Sequence, residues 1–160
     1  MKTAIGDLRE FWETLTPESV ERLERVYAQD ACFRDPFNDV RGVEELKRVF
    51  RHMFATLDQP KFAILEVVAN DFGAILIWDF TFRVKAWKPK IVRSIHGVSH
   101  LRFAPEGRVI YHRDYWDAAG ELYSQLPLIG RVVRMLEAKF SADYSSVAAI
   151  TRLRPACLAV

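Results

Sequence analysis

The chain is poor in the residues that staple small domains or break up long ones. Among its 160 residues there are only 2 cysteines, 7 glycines and 7 prolines. Cys32 and Cys157 lie far apart, with no Cys-x-x-Cys or Cys/His ligand spacing near either. Neither a disulfide framework nor a metal site is therefore expected, and a reducing, cytoplasmic setting is the default. Long hydrophobic runs are missing too. No stretch approaches the ~18 uncharged apolar residues of a membrane span, and the opening MKTAIGDLREFW carries no continuous apolar core of a secretory signal. Nor does charge of one sign accumulate: 23 lysines and arginines balance 21 aspartates and glutamates, a net +2. That is far from the basic footprint of a nucleic-acid binder, so neither nucleic acid nor membrane is an expected partner.

What remains is a globular composition, 50% hydrophobic and 28% charged, in a length that suits one hydrophobic core. Leu8, Phe11, Trp12 and Leu15 recur at helical spacing and predict a first helix over 7–15. Thr16-Pro17-Glu18 reads as the start of a second, with Thr16 as N-cap and Pro17 in the first turn, and Val20, Leu23 and Tyr27 as its inner stripe. A short apolar piece, 31–37, precedes a third helix over about 42–57, which carries Val43, Leu46, Val49, Phe50, Met53 and Leu57 on one side.

From Lys61 the apolar period changes to two, in runs bounded by Asn70-Asp71-Phe72-Gly73, Lys88-Pro89-Lys90 and Pro105-Glu106-Gly107. Four antiparallel strands are expected. The second puts Ala74, Leu76, Trp78, Phe80, Phe82 and Val84 on one face, the third Ile95, Gly97, Ser99, Leu101 and Phe103, and the fourth His112, Asp114 and Trp116. Asp117 then caps a short helix, and Leu128 to Phe140 forms an amphipathic one opposing Arg131, Arg134 and Lys139. The fold class is α+β, with helices on one side of a curved antiparallel sheet. One domain covers 1–140, and 141–160 is either a mobile tail or a lid.

Two carboxylates stand out. Asp35, in FRDP between Phe33 and Phe37, either starts a turn or acts as a base whose pKa an apolar cavity raises. Asp114, in HRDYWD, shares a face with His112 and Trp116; it is either a buried carboxylate satisfied by its neighbours or the group that holds a water or a substrate hydroxyl. His96, His100 and Asp79 fall on the opposite face, which suits a surface or an interface. The stripe Trp78, Phe80 and Phe82 reads as core, or as the wall of an apolar pocket.

YAQDACFRDPFNDVRG leading into the third helix, and HGVSHLRFAPEGRVIYHRDYWD in the last two strands, resemble the nuclear transport factor 2-like, or SnoaL-like, domains. That group includes ketosteroid isomerase, limonene epoxide hydrolase and polyketide cyclases. The resemblance covers about residues 5–118 and implies a cone-shaped α+β barrel with an apolar pocket, assembled as a homodimer through the outer sheet faces. DACFRDP resembles the isomerases' segment with the catalytic base, a role that falls on Asp35, while Phe11 and Ser99 stand where those enzymes place their oxyanion donors. HRDYWD is similar to the strand whose first aspartate activates water in the epoxide hydrolases and resembles the acid/base of the cyclases; that role falls on Asp114. The epoxide hydrolases' Arg-x-Asp and Tyr-x-Asn pairs read here as Ile77-Trp78-Asp79 and Phe33-Arg34-Asp35.

The expectation is a homodimeric protein, needing no cofactor, that holds an apolar or polycyclic small molecule against Phe11, Tyr27, Phe33, Trp78, Phe80, Ser99, His112 and Trp116. Asp35 and Asp114 would move a proton in an isomerisation, cyclisation or hydration. The rival is a binding or dimerisation module in which both aspartates are structural.

Overall fold

The computed structural model describes residues 2–126 and 128–141. The tail expected beyond Ser141, and Cys157 with it, lies outside the described residues. Helix α1 (Lys2–Glu13) buries Leu8 and Trp12, the apolar stripe read from its spacing. Helix α2 (Pro17–Val20) opens on a reciprocal cap: the Ser19 N–H donates to Thr16 Oγ1 at 3.2 Å, and the Thr16 N–H donates to Ser19 Oγ at 2.9 Å.

This helix does not continue to Tyr27. After Val20 the chain tightens into a 3₁₀ turn, Leu23–Arg25, and Tyr27 opens strand β1 (Tyr27–Arg34). The stripe Val20, Leu23 and Tyr27 is nevertheless buried, because the three-residue repeat of the turn keeps Leu23 above Val20. Long-range pairing decides the ending: the Val109 N–H donates to the Val26 carbonyl at 2.8 Å and draws Tyr27 alongside Val109. The strand stops at Asp35-Pro36, where proline has no N–H to offer a ladder.

After β2 (Asp39–Arg41) comes α3 (Val43–Thr56), entered through Gly42 at φ +97°, a left-handed conformation that favours glycine. Its Val43, Leu46 and Phe50 are buried. Strands β3 (Leu57–Asn70), β4 (Gly73–Val84), β5 (Arg93–Phe103) and β6 (Val109–Trp116) form the expected antiparallel meander. The whole sheet has six strands in the order β2-β1-β6-β5-β4-β3, curved and unclosed, with β1 and β6 parallel. That parallel pair makes the sheet mixed, which periodicity did not anticipate.

The helices α1 and α3 cover the concave face. Trp12 sits at the centre, edge-on to Phe50 and Phe62, each with ring centroids 5.0 Å away, and to His112 at 5.6 Å. In β5, Gly97 lies beneath the Trp78 indole, and a Cβ there would collide with the ring. Asp117 caps α4 (Ala118–Glu121), and α5 (Ile129–Phe140) follows a 3₁₀ turn at Tyr123–Gln125. The amphipathic helix expected at 128–140 is therefore present, yet its apolar stripe is not covered: Leu128, Ile129, Val132, Met135 and Phe140 are exposed among the described residues. No helix among them is long and apolar enough to cross a membrane.

Candidate functional site

Alternation along β6 brings His112, Asp114 and Trp116 onto the concave face, and pairing places Ser99 of β5 opposite Asp114. The side chains form one network. The Trp78 indole N–H donates to Ser99 Oγ at 2.8 Å, and the Ser99 hydroxyl donates to Asp114 Oδ1 at 2.5 Å. His112 Nε2 stands 2.7 Å from the same Oδ1 and 3.0 Å from Ser99 Oγ, while its Nδ1 stands 2.6 Å from the Tyr27 hydroxyl.

Tyr27 is completely buried, and its pKa is raised well above the ordinary 10.0, first by burial and then by the Asp114 charge. Its phenol therefore stays protonated. One proton arrangement satisfies the chain: Tyr27 O–H donates to Nδ1, and Nε2–H donates to the Asp114 carboxylate. His112 is 2% exposed and the Asp114 side chain 15%. The imidazole is thus sealed while the carboxylate reaches open space.

That space is a cavity of about 530 Å³ between α3 and the sheet. Phe33, Val49, Phe50, Met53, Phe62, Trp78, Phe80, Ile95 and Trp116 wall it, Leu122 and Leu126 stand at one end, and the polar members include Asp114, Asp35, Asn38 and His52. Size and lining fit a small-molecule site. Behind Trp12, Trp78 and Asp114 a void of about 10 Å³ touches Ser99 and His112 as well, which is on the order of one water probe.

Of the residues singled out from the sequence, Phe33, Asp35, Trp78, Phe80, Asp114 and Trp116 line the cavity. Tyr27, Ser99 and His112 lie behind its wall, Ser99 and His112 bonded to Asp114 and Tyr27 bonded to His112. Phe11 is not a lining residue; it packs edge-on against Trp12 at 6.1 Å. Asp35 heads a turn: its Oδ1 accepts the N–H groups of Phe37 at 2.7 Å and Asn38 at 2.6 Å, and the Asn38 amide nitrogen bonds both carboxylate oxygens at 3.0 and 2.9 Å. Val49, Phe50 and Met53 of α3 also wall the cavity; helical spacing marks them as one apolar face without showing whether that face meets protein or space.

A model of the SnoaL-like domain matches residues 8–112. The chain belongs to the SnoaL-like family. No curated protein matches it. Among solved structures, an NTF2-like protein of unknown function from Burkholderia pseudomallei aligns with TM-score 0.64 and 16% identity, covering 74% of this chain and 94% of that one. An LEH-like epoxide hydrolase from M. tuberculosis aligns with TM-score 0.62 and 17% identity over 83% and 95%. A putative SnoaL-like polyketide cyclase from Shewanella denitrificans OS-217 gives 0.61 and 18% over 78% and 97%. At these identities the likeness carries the fold: this SnoaL-like chain is similar to proteins of several activities and of none assigned.

Proposed function

We propose that this SnoaL-like domain binds an apolar or polycyclic small molecule in its cavity and that Asp114 transfers a proton on it, in an isomerisation, cyclisation or hydration. The observation that carries the reading is the one carboxylate with Oδ1 held by Ser99 and His112 while its side chain opens onto an aromatic-walled space. Hydrogen bonds to Oδ1 fix the group's orientation, so Oδ2 is the atom that meets a ligand C–H or O–H. In an isomerisation Oδ2 takes the proton α to a carbonyl, the C–H electron pair moves into the enolate, and the proton returns at another carbon. Asp35, whose oxygens already serve a turn, is left to orient a ligand hydroxyl or water through its own edge or the Asn38 amide.

Incubation with a panel of apolar polycyclic ketones in D₂O tests this, with mass spectrometry reading deuterium incorporation. Asp114→Asn is expected to lower incorporation ~100-fold or more, and Asp35→Asn by much less. Incorporation that survives Asp114→Asn unchanged overturns the assignment. The saturated Oδ1 equally favours a second reading, a binding module without chemistry; ligand retention with no Asp114-dependent exchange selects it.

A second copy of the chain is proposed against the outer sheet face, where Ile75, Ile77, Val98 and Tyr115 are half-buried or exposed. Light scattering reads this as twice the 18.5 kDa chain mass; a single-chain mass rejects it.

A further inference from the structure

Helix α5 is attached to the domain by the side opposite its apolar stripe. Gly130 is buried, so close to the Ser124 carbonyl that a Cβ there would collide with it. One turn on, Arg134 Nη1 donates to the same carbonyl oxygen at 2.9 Å. These two positions share a helix face, and at ~100° per residue the apolar side chains, centred on Val132, point away from it. Leu128, Ile129, Val132, Met135, Leu136 and Phe140 are 45% to 82% exposed, so the stripe has no cover among the described residues.

The charges around the stripe are of one sign. By helical spacing Lys139 lies within it, between the directions of Leu128 and Val132, and Arg131 lies at its edge beside Met135. The one acid of the helix, Glu137, falls on the far side with Gly130. The chain's net +2 hides a division: 128–160 carries 5 lysines and arginines against 2 acids, and 1–127 carries 18 against 19. This arrangement decides between occupants. A second copy laid stripe to stripe would seat Lys139 in an apolar contact with no facing acid, a desolvation cost without a partner. The chain's own 142–160 adds Arg152 and Arg154 against Asp143 alone, so it brings no surplus of acid either. An anionic membrane surface accepts both features, because a lysine stem lies along the acyl boundary while its ammonium reaches the lipid phosphates. With 12 residues, α5 is about 18 Å long against a hydrocarbon core of ~30 Å, which suits lying along the surface and not crossing it.

We propose that α5 docks the protein on an anionic lipid bilayer, with its apolar stripe at the boundary of headgroups and acyl chains and with Arg131 and Lys139 on the lipid phosphates. The proposal is independent of what the cavity binds.

The test sediments the full chain with sucrose-loaded vesicles of phosphatidylcholine alone and of phosphatidylcholine with about a third phosphatidylserine. The wild type is expected to bind the anionic vesicles ~10-fold or more the stronger, and Arg131→Gln/Lys139→Gln to lose most of that preference. Val132→Glu is expected to weaken binding to either vesicle ~10-fold or more. All three side chains are exposed, so circular dichroism is expected to show an unchanged fold. Wild-type protein that stays in solution beside anionic vesicles overturns the proposal, as does binding that Val132→Glu leaves unchanged. A light-scattering mass that falls in Val132→Glu, with no vesicle binding, assigns the stripe to a second copy and overturns it too. If Val132→Glu fails to fold, the charge variant decides: an undiminished preference for anionic lipid overturns the proposal.

Discussion

Asp114 and Asp35 border the same cavity, yet they are held in opposite ways. Asp114 rises from the middle of a paired strand, and its partners are side chains: Ser99, His112 and, through the imidazole, Tyr27. Asp35 sits just past the end of a strand, and its partners are the N–H groups and the amide of the turn it begins. The first arrangement orients a carboxylate by groups that can themselves move protons. The second uses a carboxylate to shape backbone. Facing a cavity is therefore a weak guide to role, and the chemistry of the hydrogen-bond partners is a stronger one.

Substitutions can break this contrast or sharpen it. The largest effect is expected from His112→Ala, which strands two buried hydroxyl and carboxylate partners and removes a ring packed against Trp12, Tyr27 and Phe33. A loss of ~3–5 kcal/mol in urea unfolding is expected; a loss near zero would mean that the network carries no structural weight. Tyr27→Phe should cost ~1–3 kcal/mol and also change the alkaline limb. Because the folded-state pKa of Tyr27 lies above 10.0, wild-type stability is full below that pH and falls as pH rises beyond it, where the unfolded chain ionises first. The variant should show a flatter decline in a pH series of denaturation midpoints, and an identical decline would show that Tyr27 is not sealed.

Arg93→Met tests the buried cation that lies over the Trp87 ring. Exchanging a buried charge that forms no ion pair among the described residues for an apolar chain should raise stability by on the order of 1 kcal/mol, or about 2–4 °C in melting temperature; a lowered melting temperature would show that the charge is paired. The smallest effect is expected from Asp114→Asn, whose amide oxygen still accepts from Ser99 and His112. Its stability should stay within ~1 kcal/mol of wild type while exchange is lost, whereas a fall of ~3 kcal/mol or more would mark Asp114 as a structural charge.

The strand faces were legible because each side chain alternates about a plane: Trp78, Phe80, His112, Asp114 and Trp116 point where period two puts them. The same arithmetic gives Arg93 the parity of Ile95 and Ser99 and so turns a charge inward. The parallel join of β1 to β6 was not legible, since it depends on Val26 meeting Val109 across the chain. Apolar spacing alone therefore puts Tyr27 on a helix, whereas the pairing puts it at the start of β1. The turn role of Asp35 was one of two readings, and only the positions of Phe37 and Asn38 show that its oxygens are taken.

The chain of contacts behind Asp114 ends at a phenol that solvent does not reach. On the proposed reading, that closure constrains exchange. A proton captured at Asp114 has no rear exit to bulk water, so its exchange with solvent runs through the cavity mouth alone. A ligand that plugs that mouth would slow the uptake of label from solvent, and a smaller ligand that leaves it open would not.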